Sequence, residues 1–342
     1  MSLAYHTAMV SLGINFEREI REQPDVWERI ARSNAAAELA AALEGEIILI
    51  GSGSSLFAAQ LGAVALRRRG ISAHALAASE ARGDNRAYRQ RTIVALSQSG
   101  RSTDVLSALE VLRPQRTIAL TNSVASPLGD RADLAIDVLA GPEIAIPASK
   151  SVSSTIAILL STASLLGGDR TREPEMLMHT AETIRAWLAG SGVDTVVDAA
   201  AAIAARHDVM VLGTDYGAPI AREAALKFKE ATYLHAEGFE AGEFRHGSAA
   251  MVDASSVVLG IMDRDAIEIV GRPLREAHKI CALGYAVGTT TVDGITRLGP
   301  IVDDPYNTLA WLVTVQLLAL YVARARDIDS DRPRGLTKAI VG

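Results

Sequence analysis

TIVALSQSGRSTDVLSALEVL, residues 92–112, decides how the rest of the chain reads. Thr92-Ile-Val-Ala-Leu96 is a short apolar run of the kind that forms a strand covered on both faces. Small polar residues follow (Ser97, Gln98, Ser99, Gly100), then a helical stretch through Leu112. The same order occurs upstream. Ile47–Ile50 ends at Gly51, Ser52, Gly53, Ser54 and Ser55, and an Ala/Leu-rich helix continues to Arg69. Thr117–Leu120 runs into Thr121, Asn122 and Ser123, and Leu134–Val138 closes the set. Strands and helices in alternation predict an α/β fold with a parallel sheet.

The second half repeats the plan. Asp208–Leu212 ends at Gly213, and a helix opens near Pro219, where the missing N–H of proline costs nothing. Ser256–Ile261 then takes the part of Thr92–Leu96. The 342 residues suit two domains of about 150 each. Glu17–Ala42 is helix-like, and the stretch GGDRTREP at 167–174 marks a break before a bridging helix, Glu175–Ala189. The expected division is an N-terminal helical segment 1–45, a first α/β domain 46–172, a second 173–325 and a tail 326–342.

Composition removes several classes. With 34 Lys+Arg against 40 Asp+Glu and a net charge of -6, the chain lacks the basic balance of a nucleic-acid partner. Aromatics are 4% and do not interleave with basic runs as single-strand binding needs. Cys281 stands alone, so there is no disulfide framework, which fits a reducing compartment. The most apolar stretch, Leu309–Ala323, contains Gln316 and falls short of the roughly 20 residues of a spanning helix. It reads as a buried helix, with no membrane partner. The N-terminus lacks a basic, then apolar, then small-residue leader, so the cytoplasm is the expected location.

In open parallel sheets ligands bind beyond the carboxyl ends of strands. Ser97–Thr103 offers hydroxyls, an amide and a helix start that Ser102 or Thr103 can cap, which suits a phosphate dianion. Gly51–Ser55 can reach the same ligand. An ordinary strand-to-helix turn would use the same residue types. Neither GxxxxGK[ST] nor GxGxxG is present, so nucleotide binding loses ground. Downstream, Glu223, Lys227 and Glu230 share one helix face. A carboxylate beside a lysine, with His235 or His246 in reach, can move a proton on carbon next to a carbonyl. A solvated ion pair is the plain alternative. His235, Glu237, Glu243 and His246 could be written down as a metal set, but no HExxH or paired-Cys spacing occurs, and no metal is expected.

GSGSS at 51–55, ALSQSGRSTDVL at 95–106, GPEIAIPASK at 141–150, EAALKFKEATYLHAEGFEAGEFRHG at 223–247 and PRGLTKAIV at 333–341 together resemble tandem sugar isomerase (SIS) domain proteins. The likeness is to the isomerase half of glucosamine-6-phosphate synthase. It implies two tandem SIS domains, each a three-layer αβα sandwich of flavodoxin type. By that resemblance Ser97, Gln98, Ser99 and Ser102 surround the sugar phosphate, and Ser52 and Ser55 add contacts. Glu230 is implied to shuttle the proton between C1 and C2, with Lys227 and Glu223 beside it. His246 is implied to open the ring from the partner subunit of a homodimer, and Lys338 to form a Schiff base with the ketose. No cofactor is implied.

Departures narrow the reading. No glutaminase domain is expected, so ammonia rather than glutamine is the nitrogen partner. Arg101 stands where the synthase has an acidic residue, Ser102 for threonine, Ser52 for cysteine, Arg245 for lysine and Ala148 for serine. The expected function is an amino-sugar phosphate isomerase/deaminase acting on a hexosamine 6-phosphate. The alternatives are a deglycase of 6-phosphorylated fructosamine adducts and a non-catalytic sugar-phosphate sensor.

Overall fold

The structure is a computed structural model that describes residues 12–83, 86–168, 172–280 and 282–338. The chain folds into two compact units. One takes Gln23–Glu143, Lys150–Ala181 and the tail from Thr337; the other takes the chain up to Glu22, Ile144–Ser149 and Glu182–Leu336. The helix-like stretch Glu17–Ala42 is three helices, α1 (Ile14–Arg21), α2 (Gln23–Ala31) and α3 (Ala35–Ala42). Pro24 in the first turn of α2 and Asn34 ahead of α3 interrupt it, because both favour helix starts over helix interiors. The two units divide this helical segment between them, at Glu22/Gln23.

The unit that begins at Gln23 holds β1 (Ile47–Gly51), α4 (Ser54–Arg67), β2 (Ala73–Ala77), β3 (Thr92–Leu96), α5 (Thr103–Leu112), β4 (Arg116–Thr121), α6 (Pro127–Arg131), β5 (Leu134–Asp137) and α7 (Lys150–Leu166). The strands form one parallel sheet in the order β2-β1-β3-β4-β5, with Ile47 level with Ala73 on one side and Thr92 on the other. Every residue of β1 and β3 is buried, as their apolar runs require. On one face Ile48, Ile50, Ile93, Ala95 and Ala119 pack against Val105, Ala108, Leu109 and Leu112 of α5. On the other, a Cβ at Gly62 would stand 2.8 Å from Leu159 and 3.1 Å from Leu49, so glycine lets α4 lie close to β1 and α7. Each such buried Leu or Ile contributes about 1.5–3 kcal/mol.

The other unit repeats the topology. After α8 (Glu173–Ala189), which the two units divide at Ala181/Glu182, and α9 (Asp194–Ile203) come β6 (Asp208–Gly213), α10 (Gly217–Thr232), β7 (His235–Glu240), α11 (Ala241–Phe244), β8 (Ser256–Met262), α12 (Ile267–Lys279), β9 (Leu283–Gly288), β10 (Thr296–Leu298) and α13 (Asn307–Ala325). Its parallel sheet runs β10-β9-β8-β6-β7, the same permutation as the first. Both halves are therefore α/β units with a parallel five-stranded sheet between helices, as the sequence pattern predicts. Val258, Met262 and Ala286 meet Val270, Leu274 and Ala277 of α12 on one side. By length and composition α13 could cross a bilayer, yet it is buried inside this unit against α1, α9 and α10.

The start of α1 is finished by residues far away in sequence. Gly13 precedes it with φ 66° and supplies no capping side chain. Asp331 does that work: its carboxylate accepts the N–H groups of Asn15 (2.9 Å) and Phe16 (2.7 Å) and the Asn15 amide. Asp329 accepts Gly13 N–H at 3.0 Å, and Arg324 pairs with Glu17 at 2.7 Å. Asp331→Ala strips both first-turn acceptors and should lower unfolding stability by about 1–2 kcal/mol, read as a reduced urea midpoint at unchanged slope.

Candidate active site

In the unit of β1–β5 the strand order reverses between β1 and β3, the position at which doubly wound sheets bind ligands. Both hydroxyl-rich loops leave the carboxyl ends of those two strands. The first turns sharply: a Cβ on Gly51 would sit 2.7 Å from the Ser55 backbone, and Ser52 O accepts Ser55 N–H. Ser52 and Ser55 are half-buried. In the second, Ser97 is buried, and Gln98, Ser99 and Ser102 are half-buried. Gly100 has φ 62°, and a Cβ there would overlap Ser126 Oγ, so this turn demands glycine. Ser102 is the N-cap residue of α5, as the sequence suggests, but its side chain makes no capping bond. The N–H groups of the first turn of α5 are thus left to meet an acceptor other than their cap, the condition under which a helix start attracts an anion.

Asn122 ties this loop to the next. Its N–H donates to Gln98 O (3.1 Å), its Nδ2 to Gly141 O (2.7 Å), and its Oδ1 accepts Ala140 N–H. Two residues past Gly141 lies Glu143, whose carboxylate is buried. It accepts the backbone N–H (3.0 Å) and hydroxyl (2.7 Å) of Ser151, in the first turn of α7. Lys338 Nζ donates to the same carboxylate at 2.9 Å. Burial pushes the Glu143 pKa up, but the Lys338 charge and the Ser151 bonds outweigh it and hold the carboxyl below its usual range. Lys338 is therefore placed in the same unit as Ser52, Ser55, Ser97, Gln98, Ser99 and Ser102. Nearby, Lys150 is buried at the first position of α7 and donates to Pro142 O at 2.7 Å. Sequence reading passed over Glu143 and Ser151. The signals were a single carboxylate ahead of the apolar Ile144-Ala145-Ile146 and a lysine at a helix start, where the dipole disfavours a cation.

The other unit carries the second cluster. Lys227, on α10, is fully buried and lies 3.4 Å from Glu223 Oε1 and 2.5 Å from Glu230 Oε2. Burial pulls the Lys227 pKa down, but the charges of Glu223 and Glu230 prevail and raise it, so the group is an ammonium. The solvated-pair alternative is thereby overturned. Only Glu230 of the three presents its side chain toward the surface, 19% exposed. It stands in the last turn of α10, at the end of the unit where β6 begins, not at the carboxyl end of the strands. His246 follows α11 and is exposed, its N–H donating to Glu243 O at 2.9 Å. His235 and Glu237 lie on β7 with 3.8 Å between them. Among the described residues no three His, Cys, Asp or Glu side chains converge as a metal site. Cys281 lies outside the described residues.

The SIS-domain profile matches residues 42–166 and 202–268. The chain belongs to the SIS-domain family. It is 33% identical to the glutamine–fructose-6-phosphate aminotransferase (isomerizing) of Aeropyrum pernix over 94% of this chain and 56% of that one. This SIS chain spans about half the length of the curated relatives it matches. In fold it superposes on the C-terminal domain of the glucosamine–fructose-6-phosphate aminotransferase of Francisella tularensis with a TM-score of 0.80, at 23% identity over 93% of this chain and 98% of that one. The glucosamine-6-phosphate deaminase of Thermotoga maritima gives a TM-score of 0.74 at 23% identity, over 95% and 99%.

Two outcomes follow for the charge clusters. Lys227→Met leaves the Glu223 carboxylate buried without its cation and should cost about 3–5 kcal/mol, most of it recovered in the Glu223→Gln/Lys227→Met double variant. A chemical-denaturation cycle measures both. Glu143 has a lowered pKa, so its stabilisation is in place above the ordinary carboxylate value of 4.5 and is lost as pH falls through the folded value. Wild type should therefore exceed Glu143→Gln in stability at neutral pH, and the two should converge in acid below 4.5.

Proposed function

We propose that this chain is an amino-sugar phosphate isomerase/deaminase, interconverting a hexosamine 6-phosphate and the ketose 6-phosphate with ammonia released or taken up. The observation that carries the reading is the Lys227–Glu230 pair: a fully buried ammonium fixes one partly exposed carboxylate in a single orientation. A proton carrier between two adjacent carbons needs that kind of fixed carboxylate.

In this reading the phosphate dianion is held by Ser97, Gln98, Ser99, Ser102 and the start of α5, with Ser52 and Ser55 adding contacts to the sugar. His246, contributed by the partner subunit of a homodimer, moves the proton that opens the ring. Glu230 takes the proton from C2 of the open aldose and returns it to C1. The C2 amine thereby becomes an imine; water adds to it and ammonia leaves, giving the ketose 6-phosphate. Lys338 supplies the amine that can exchange with this imine as a Schiff base at C2. The names of the relatives, an isomerizing aminotransferase and a glucosamine-6-phosphate deaminase, support this chemistry.

The test is ammonia and ketose-phosphate formation from glucosamine 6-phosphate and galactosamine 6-phosphate. Wild type should turn over at least one of them, and Glu230→Gln should lose about 100-fold or more in kcat while still folding, with a lowered thermal midpoint because Lys227 loses one of its two carboxylates. Borohydride should trap fructose 6-phosphate on Lys338. Silence on both amino sugars overturns the reading, and turnover of a fructosamine 6-phosphate would then assign a deglycase.

A further inference from the structure

Glu143 has no part in the proton shuttle or the phosphate cradle, yet it is a buried carboxylate at the functional end of its sheet. It lies on the connection that leaves β5 and enters α7, and Asn122 couples that connection to Gln98 in the hydroxyl loop. Ser151 fixes it from two directions, through N–H at 3.0 Å and Oγ at 2.7 Å. Its side chain is 0% exposed, whereas that of Lys338, at 2.9 Å, is 27% exposed. A rigid, dry anion thus faces a cation at the end of a tail that can still be reached by solvent.

We propose that Glu143 is a positioning residue for Lys338: it latches the tail lysine as an ammonium beside the hydroxyl loops, so that the amine reacts only after it leaves this carboxylate. An ammonium has no lone pair, and to attack a carbonyl Lys338 must first give up a proton. Glu143 is a poor recipient for that proton, since its own pKa is held below the usual range. The carboxylate therefore localises the lysine without activating it, and the proton has to leave to water or to a bound amine. The importance of the latch rests on the reading of Lys338 as the sugar-bonding amine; the latch itself is a property of the sugar-free protein.

The experiment labels sugar-free protein with a trace of acetic anhydride at pH 7.5 and compares Lys338 with the exposed Lys279 by peptide mass spectrometry. In wild type Lys338 should label at least ~5-fold more slowly than Lys279, the effect of one charge-assisted hydrogen bond to Glu143 that must break before the amine can react. Equal labelling overturns the proposal without any variant. In Glu143→Gln the Lys338/Lys279 ratio should rise roughly 10-fold. Ser151→Ala, which keeps the charge and removes one anchor, should raise it less. A purely structural Glu143 would leave the ratio unchanged in variants that still fold, and that result also sinks the idea. Because no sugar is present, failure here differs from failure of the Schiff-base reading, which would appear as no borohydride-trapped fructose 6-phosphate on an otherwise slow-labelling Lys338.

Discussion

Lys227 is an ammonium with no access to water, and much of its unit is arranged so that this can be tolerated. Removing an ion from water costs several kcal/mol even after relaxation, so both neighbouring carboxylates have to be present and close. Helix α10 supplies them one turn before and one turn after the lysine. Apart from Ile220 and Phe228, most of its other buried positions are small, among them Ala221, Ala224, Ala225 and Ala231. They allow β7 and α13 to come near. A Cβ at Gly238 would stand 2.5 Å from the Arg222 backbone, so β7 seats against α10 only because that position is glycine. Ala231 meets Ala319 and Ala323 of α13, which closes the other side. Apolar residues of similar volume would serve stability as well or better, so a buried ion triad points to a role for the charge itself.

The two sheets share one permutation of strand order, but their candidate groups sit at different ends of it. In the β1–β5 unit the hydroxyl loops occupy the carboxyl ends of β1 and β3, where parallel-sheet geometry leads one to look. In the β6–β10 unit the equivalent ends carry Gly213 and Met262, and the ordered carboxylate lies instead at the far end of α10. A repeated backbone therefore does not repeat its site. The β1–β5 unit holds the hydroxyl loops and the tail lysine, and the β6–β10 unit holds the oriented carboxylate.

These facts also explain which parts were readable from the residues alone. β1, β3, β4, β6 and β8 are continuous apolar runs because helices cover both faces, and a run of that kind is visible without a structure. β2 (AHALA), β7 (HAEGFE) and β10 are sheet edges with exposed positions, and β9 (LGYAVG) is diluted by glycine, so none has that signature. Spacing places Glu223, Lys227 and Glu230 on one face but carries no information about water, since an i,i+4 pair reads alike on a wet or a dry face. The strand-end rule finds Ser97–Ser102 and is silent on Glu230. Glu143 was hidden for a different reason: its meaning comes from Ser151 and from Lys338, 195 residues away. Asp331 capping α1 is the same kind of long-range fact.

Three lysines lie in or beside these clusters, and their surroundings assign them different work. Lys227 is enclosed, wedged between two carboxylates and raised in pKa, which unfits it as a nucleophile; in the proposed reaction it orients Glu230. Lys150 is buried too, with its Nζ bonded to Pro142 O, and it fixes the backbone that leads into Glu143. Lys338 alone combines solvent access with a contact to a carboxylate that is itself rigid. A nucleophile must reach a ligand and yet be found in one place when the ligand arrives. Lys338 meets the first condition by its partial exposure, and the buried carboxylate meets the second. If Lys338 is the amine of the proposed reaction, its contact with Glu143 fixes where it is found, whereas Lys227, enclosed between two carboxylates, has no route to a carbonyl carbon.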